Sequence, residues 1–208
     1  MDGMYGLHAD KISKRFGSRK VFTDIAFDLS VGDVLAVVGA NGSGKTTLVK
    51  TLLGEYRPSK GTVRFKQNGN ELDEAGIREH TSLVAPYLNL YDSLSGEENI
   101  VFFASVAGLH LTGKEINGLL DRVGLAGRGD DLAGAYSSGM KQRLKYAVAL
   151  LSEPKFLFLD EPTSNLDDAG KKIVYDVIDE YRKQAVVIIA TNETEDQRFA
   201  SQICRVDG

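Results

Sequence analysis

The chain has 208 residues, of which 42% are hydrophobic and 26% are charged. This length fits one domain, or one domain with an insert, and the composition excludes a disordered or fibrous protein. The net charge of −4 disfavours nucleic acid as a partner, because nucleic-acid binders neutralise phosphates with a basic surface.

The cysteine count and the hydrophobic pattern limit where the protein works. The single cysteine, Cys204, excludes an internal disulfide and indicates a reducing compartment. No apolar run approaches the roughly 20 residues that a membrane span needs. The start MDGMYGLHAD lacks a basic region followed by an apolar core, so we expect no signal peptide. Any membrane role is expected to come through a partner.

Strand patterns dominate the first part of the chain. Residues 5–38 are predicted as short strands that end in the continuous apolar run Val34–Val38, typical of a buried strand. A glycine-rich loop follows at 39–46. A helix is predicted from Thr46 to Leu53 and a short strand at Thr62–Phe65.

Residues 93–152 are predicted to be mostly helical. Ser95 and Glu98 form a capping-box pattern, and an apolar helical period recurs over 114–123. Another helix is expected to begin near Ser137. This block interrupts the strand pattern, so we interpret it as a helical insert at about 84–150.

The last part of the chain returns to alternation of strands and helices. Phe156–Leu159 and Val186–Ala190 are apolar runs typical of buried strands. Between them, Asp167 or Asp168 is expected to cap a helix that runs to about Arg182. The alternation predicts an α/β fold with a mainly parallel sheet.

Residues 39–46 read GANGSGKT and match the pattern GxxxxGK[ST], between an apolar strand and a helix. The three glycines allow backbone N–H groups to point at phosphate oxygens, and the helix N-terminus adds partial positive charge. Lys45 is expected to reach the β- and γ-phosphates, and the Thr46 hydroxyl to bind Mg²⁺. The alternative is a glycine-rich turn with a chance lysine, which the strand–loop–helix context disfavours.

Two carboxylates, Asp160 and Glu161, end the apolar strand that begins at Phe156. Asp160 is placed to hold Mg²⁺, directly or through water, and Glu161 to orient and activate an attacking water. Ligands of an open α/β sheet gather at the carboxyl ends of its strands, so we expect this pair beside the phosphate loop. The alternative is a strand that ends in solvated acids.

Three segments in this order carry a family resemblance: GANGSGKTT at 39–47, YSSGMKQRL at 136–144 and FLFLDEPTSNLD at 156–167. Together they resemble the ATP-binding subunit of ABC transporters, over nearly the whole chain. The resemblance implies a P-loop NTPase of ABC type, with a mainly parallel sheet core, an N-terminal antiparallel β part and the helical insert. Residues 1–208 are then one nucleotide-binding domain.

The resemblance also implies roles for single residues. Phe16 matches the aromatic residue that stacks on adenine, although ordinary core packing is the alternative. Ser137, Ser138 and Gly139 match the signature that closes over the γ-phosphate held by the opposite subunit. The nucleotide-binding residues expected on this basis are Phe16, Gly39, Ala40, Asn41, Gly42, Ser43, Gly44, Lys45, Thr46, Thr47, Ser137, Ser138 and Gly139. The catalytic ones are Lys45, Glu161 and Asn192.

Two positions depart from the family pattern. Asn192 stands where the family usually has a histidine that contacts the γ-phosphate. A neutral hydrogen bond contributes about 1 kcal/mol against roughly 1.5–3 kcal/mol for a charge-assisted one. Pro86 stands where the family has a glutamine that senses Mg²⁺ and the permease, unless Asn89 takes that role. We therefore expect hydrolysis that is slower, by about tenfold to a few tenfold, or differently gated.

The resemblance leaves three functions open. The first is an ATP-dependent homodimer that powers an integral membrane permease from the cytoplasmic face, with Val84–Gly108 facing the permease. In its short length the chain resembles the haem-exporter ATPase of cytochrome c maturation. The second is a soluble ABC ATPase of translation or DNA repair, which the charge and the length disfavour. The third is a nucleotide-dependent clamp or regulator with little hydrolysis, which Asn192 and Pro86 keep open.

Overall fold

Two β-sheets organise residues 4–207, the part of the chain that the computed structural model describes. The strands are β1 Tyr5–Phe16, β2 Arg19–Ser30, β3 Val34–Val38, β4 Lys60–Gln67, β5 Asn70–Glu71, β6 Thr81–Val84, β7 Phe156–Asp160, β8 Val186–Thr191 and β9 Gln202–Arg205. An antiparallel sheet has the order β2-β1-β4-β5, and a parallel sheet has the order β6-β7-β8-β3-β9. The predicted parallel core with an N-terminal antiparallel part is confirmed.

The strands β1 and β2 are each 12 residues long and form one antiparallel pair, so the expectation of short strands over 5–38 is wrong. The pairing register shifts between Ala9 and Ile12, where Lys11 adopts a φ of 46°. Such a bulge inserts an extra residue and breaks the alternation of inward and outward side chains. A continuous strand therefore shows two short patterns in its sequence.

In the described part of the chain, six α-helices accompany the sheets: α1 Lys45–Leu52, α2 Glu74–His80, α3 Gly96–Val106, α4 Gly113–Arg122, α5 Ser138–Ala149 and α6 Asp168–Tyr181. The helices α3, α4 and α5 lie between β6 and β7 and form the helical insert of the predicted fold. The capping box of Ser95 and Glu98 at α3 is confirmed, and Asp167 caps α6. Within residues 4–207, none of the helices has the length and apolar character that crossing a membrane requires.

The central strands β3, β7 and β8 are buried at every residue. Along β7, Phe156 and Phe158 pack toward α1 and the antiparallel sheet, whereas Leu157 and Leu159 pack toward the helical insert and α6. Both faces are covered, which is why these strands are continuous apolar runs. Each fully buried leucine or phenylalanine contributes about 1.5–3 kcal/mol to folding.

Parallel pairing brings the carboxyl ends of these strands to one edge. Val38 at the end of β3 lies beside Thr191 at the end of β8, and Asp160 at the end of β7 lies beside Ala190. The loops that follow β3, β7 and β8 therefore begin next to one another. Ligands of open α/β sheets bind at such an edge.

Candidate functional site

The phosphate loop, residues 39–44, connects β3 to α1. Gly42 and Gly44 adopt φ values of 79° and 114°, in the left-handed region that side chains rarely enter. A side chain on Gly44 would also overlap with Val21. The Ser43 hydroxyl is buried and has no hydrogen-bond partner within residues 4–207. Since an unsatisfied buried hydroxyl is costly, Ser43 fits a loop that binds an oxyanion.

The Lys45 side chain lies along the inside of this loop and is 5% exposed. Its Nζ donates hydrogen bonds to the carbonyl oxygens of Gly39 at 3.0 Å and Ala40 at 3.3 Å. The same Nζ lies 3.4 Å from Oε1 of Glu161. The structure thus brings Lys45 and Glu161, predicted from separate motifs, into direct contact.

Thr46 and Asp160 link the first turn of α1 to the end of β7. The Thr46 hydroxyl donates a hydrogen bond to Oδ2 of Asp160 at 2.7 Å. Asp160 is buried, and its Oδ1 has no hydrogen-bond partner within the described residues. Burial raises the pKa of the Asp160 carboxyl, against the hydrogen bond from Thr46 and the charge of Lys45, which lower it. A hydroxyl next to a free carboxylate oxygen is a donor set that suits Mg²⁺.

Glu161 follows Asp160 in a strained conformation. Its φ is 50°, a left-handed value that is uncommon for a residue with a side chain and that often marks functional positions. Its backbone N–H donates to the Ala190 carbonyl oxygen at 2.8 Å, which fixes this turn against β8. Burial raises the pKa of the Glu161 carboxyl, although the neighbouring Lys45 lowers it. A carboxylate made more basic by burial is suited to accept a proton.

Asn192 follows β8 and lies beside the phosphate loop. Its Nδ2 donates a hydrogen bond to Oδ1 of Asn41 at 3.2 Å, and both side chains are exposed. Asn192 therefore lies at the same edge of the sheet as the phosphate loop. The role of Asn192 toward a nucleotide stays a prediction.

The signature residues 137–139 lie at the start of α5 and do not contact the phosphate loop through hydrogen bonds among the described residues. Ser137 caps α5, and its hydroxyl accepts a hydrogen bond from the backbone N–H of Met140 at 3.2 Å. Ser137 and Ser138 are exposed, and Gly139 lies against the Asn165 backbone. No hydrogen bond joins 137–139 to the phosphate loop within residues 4–207. One copy of the chain therefore does not assemble the complete predicted site.

Phe16 lies at the end of β1 and is 48% exposed, so core packing, the alternative for this residue, is wrong. Its ring meets the Tyr56 ring edge-on, with 5.6 Å between centroids, and Nζ of Lys14 lies 4.8 Å above it. An exposed aromatic ring with this orientation leaves a face for stacking. Adenine stacking stays a prediction.

The junction after β6 carries the second departure from the family pattern. Pro86 is exposed, and its carbonyl oxygen accepts a hydrogen bond from Nζ of Lys145 at 2.9 Å. Asn89, the alternative for this role, is also exposed. The Pro86 side chain has no polar atom that could bind a metal ion or a water molecule.

The remaining predicted residues also lie in this region. Ala40 is exposed and uses its carbonyl oxygen toward Lys45, while Thr47 lies half-buried in the first turn of α1. One buried acid near the site, Asp196, was missed. It accepts hydrogen bonds from residues 5, 21 and 33 positions away. The sequence carries no local pattern that would have identified it.

The chain is similar to known proteins in sequence and in fold. A family model described as ABC transporter matches residues 22–164. The chain is 34% identical to the uncharacterized ABC transporter ATP-binding protein YdbJ of Bacillus subtilis (strain 168), over 91% of this chain and 63% of YdbJ. It is 31% identical to the doxorubicin resistance ATP-binding protein DrrA of Mycobacterium tuberculosis (strain CDC 1551 / Oshkosh), over 88% of this chain and 56% of DrrA.

A solved structure of the ATP binding subunit of an ABC transporter is similar to this chain with a TM-score of 0.82 and 25% identity. The similarity covers 97% of this chain and 85% of that one. The chain spans about 56–63% of the length of YdbJ and DrrA. These similarities confirm the predicted resemblance to ATP-binding subunits of ABC transporters. The finer resemblance to a haem exporter stays a prediction.

Proposed function

The chain belongs to the ABC transporter family, and we propose that it binds ATP with Mg²⁺ and hydrolyses it to power a membrane permease. One observation carries this proposal. Lys45, the Thr46–Asp160 pair and Glu161 meet at a single edge of the parallel sheet. Phosphoryl transfer needs a cation for the phosphates, a metal site and a group that orients water, and this edge offers all three.

The phosphates are proposed to bind in the loop of residues 39–44 and at the N-terminus of α1. Backbone N–H groups of a loop with left-handed glycines form a concave anion site, and the dipole of α1 adds to its positive potential. Lys45 would exchange its bonds to the Gly39 and Ala40 carbonyls for phosphate oxygens. Phe16 would stack on adenine from the end of β1.

Thr46 and Asp160 are the residues proposed to hold Mg²⁺, because the Thr46 hydroxyl is adjacent to the Asp160 carboxylate and Oδ1 of Asp160 has no hydrogen-bond partner among the described residues. When bound, the ion supplies positive charge next to the β- and γ-phosphates. Burial raises the pKa of the Asp160 carboxyl because it disfavours the charged form, and a divalent cation beside the carboxylate would offset that cost.

Glu161 is proposed as the residue that orients the attacking water. The water oxygen forms a bond to the γ-phosphorus while the bond to the bridging oxygen breaks, and the products are ADP and phosphate. The water proton goes to Glu161 or onward to phosphate. Glu161 must leave its contact with Lys45 for this task, which the binding of phosphates to Lys45 would favour.

A second copy of the chain is proposed to complete the site. Ser137 and Ser138 are exposed and Gly139 is half-buried at the N-terminus of α5, where the three residues can meet the γ-phosphate bound by a partner copy. Two shared nucleotides would stabilise such a homodimer by mass action. ATP should therefore increase the dimer fraction of the purified chain.

The permease is proposed to contact the segment from Val84 to Gly108, which holds the protein at the cytoplasmic face of the membrane. Tyr91, Phe102 and Phe103 form an aromatic cluster here, with Tyr91 and Phe102 rings 4.6 Å apart. Phe102 is 38% exposed and offers an apolar contact. The names of the similar proteins, transporter ATP-binding subunits, support this assignment.

Asn192 and Pro86 favour a second candidate, a clamp or regulator that binds ATP with little hydrolysis. Both positions lie at the site edge. Asn192 lacks the charge of the usual histidine, and Pro86 lacks the side-chain hydrogen-bonding groups of the usual glutamine. Phosphate release from ATP by the purified chain, with Mg²⁺ and with EDTA, separates the two functions. Lys50→Ala, in the same helix as Lys45, is the matched control for Lys45→Ala.

The ATPase account expects Mg²⁺-dependent release by the wild type and by Lys50→Ala, and none by Lys45→Ala. If the wild type binds ATP and dimerises but releases no phosphate with Mg²⁺, the clamp account is correct. Capture of an integral membrane protein from detergent-solubilised membranes by the tagged chain tests the permease partner separately.

A further inference from the structure

Asp196 is a carboxylate in the protein interior, on the short 3-10 turn Glu195–Phe199 that follows β8. Its side chain is 0% exposed. The neighbouring Glu195 pairs with Lys171 at 4.0 Å, whereas Asp196 has no ion-pair partner within residues 4–207. A buried carboxylate without a cation is costly unless hydrogen bonds compensate it.

Three hydroxyl groups supply that compensation. Thr191 donates to Oδ2 of Asp196 at 2.6 Å, and Tyr175 donates to Oδ1 at 2.9 Å. The Thr163 hydroxyl lies between the two oxygens, at 3.2 and 3.3 Å. Hydrogen bonds to an ionised acceptor are roughly twice as strong as neutral ones. The carboxylate thus fixes three separate segments at one point.

Two of these donors belong to the segments that carry the site. Thr163 comes two residues after Glu161, and Thr191 comes immediately before Asn192. The backbone N–H of Glu193 also donates to the Thr191 hydroxyl at 2.9 Å, so Thr191 orders the turn that holds Asn192. Asp196 therefore joins the loop after β7 to the turn after β8.

The loop after β7 is also held from the helical insert. The Pro162 carbonyl oxygen accepts hydrogen bonds from the Tyr146 hydroxyl at 3.1 Å and from Nε2 of Gln142 at 3.4 Å. Both donors lie on α5. Pro162 and Thr163 are thus each anchored, so the backbone of the adjacent Glu161 is held in place.

The third donor, Tyr175, lies on α6, a helix that carries none of the predicted site residues. Stability alone does not account for this arrangement, because apolar packing of similar volume stabilises an interior at least as well as a buried charge. A carboxylate that gathers several donors instead fixes geometry.

We propose that Asp196 is a positioning residue that holds Glu161 and Asn192 in fixed relation at the phosphate edge. Its charge gathers Thr163 and Thr191. Thr191 orders the adjacent Asn192, and Thr163 orders the loop that begins at Glu161, two residues earlier. This inference rests on the proposed ATPase function. Asp196 itself touches none of the residues expected to contact ATP.

The test compares variants that remove or restore one of the hydroxyl groups that donate to the Asp196 carboxylate. Thr163→Val removes the donor on the Glu161 loop, Thr163→Ser restores it, and Tyr175→Phe removes the donor on α6. For each variant, kcat for ATP, Kd for ATP and thermal stability are measured. Thr163→Val should lower kcat by about tenfold while Kd changes by less than about twofold, because small displacements of catalytic groups are costly.

Thr163→Ser should recover most of this loss, and Tyr175→Phe should lower kcat by less than about twofold although it loses similar thermal stability. Equal kcat losses in Thr163→Val and Tyr175→Phe, in proportion to stability, would show that Asp196 only supports folding. A wild type without turnover would overturn the ATPase function and this inference together. Turnover in the wild type that Thr163→Val leaves unchanged would overturn the inference alone.

Discussion

The Thr46 hydroxyl donates a hydrogen bond to the Asp160 carboxylate at 2.7 Å, although the two residues are 114 positions apart. Thr46 lies in the first turn of α1, directly after the loop that follows β3, and Asp160 ends β7. Both strands pair with β8 in the parallel sheet. The sheet topology therefore creates the proposed metal site from two segments that are distant in sequence.

Thr46→Val tests this contact. The variant keeps the shape of the side chain but removes the hydroxyl. We expect the strengthening of ATP binding by Mg²⁺, measured as the ratio of Kd values with EDTA and with Mg²⁺, to be about tenfold smaller than in the wild type. Titrations of a fluorescent ATP analogue with Mg²⁺ and with EDTA measure the effect. Thr51→Val is the control, because the Thr51 hydroxyl bonds only within α1, to the Thr47 carbonyl. Equal Mg²⁺ dependence in the wild type and Thr46→Val would contradict the site.

Gly44→Ala should destabilise the phosphate loop. The new Cβ would overlap with the Val21 side chain, and the φ of 114° is unfavourable for alanine. Strain of this kind costs about 1–3 kcal/mol. Gly54→Ala is the matched control, since Gly54 has a φ of 81° but open space around it. Urea unfolding should show the larger loss for Gly44→Ala, and equal losses would mean that the overlap is relieved.

Asn192→His should accelerate hydrolysis. An imidazolium at this position offers a charge-assisted hydrogen bond to the γ-phosphate, and the gain over the neutral amide corresponds to about tenfold in rate. Steady-state phosphate release measures it. Glu193→His places the same side chain one position further along, on an exposed site, and should leave the rate unchanged. If both variants match the wild type, Asn192 does not limit turnover.

Cys204 should react slowly as a nucleophile. Burial raises the pKa of its thiol from 9.0 to about 11. At pH 8 the thiolate fraction, and with it alkylation by iodoacetamide, should be on the order of 100-fold lower than in the unfolded chain. The rate should continue to rise with pH up to about 11, where an ordinary thiol has already levelled off. Rapid labelling of the folded chain at pH 8 would contradict this environment.

The core strands, and the phosphate loop and carboxylate pair that follow them, could be predicted from the sequence. The strands β3, β7 and β8 are covered on both faces, so each appears as an unbroken apolar run. The loop at 39–44 and the Asp160–Glu161 pair follow two of these runs directly. Their spatial meeting then follows from the rule that parallel strands share a carboxyl edge.

Other elements were missed because distant partners create them. The strand β6, Thr81–Val84, contains only four residues and exists through its pairing with β7. The edge strand β9 pairs only with β3, and α2 buries no residue completely. The hydrogen bonds of Asp196 join residues from three segments. No local periodicity encodes such contacts, because they depend on the finished topology.

Phosphate release from Mg-ATP by the wild type, by Glu161→Gln and by the control Glu193→Gln tests whether Glu161 orients the attacking water. The account predicts that Glu161→Gln lowers the rate by about 100-fold or more, because the group that orients water is lost. ATP affinity should stay within about threefold, ATP-bound dimers should accumulate, and Glu193→Gln should match the wild type. A Glu161→Gln variant that hydrolyses ATP at the wild-type rate would contradict the account.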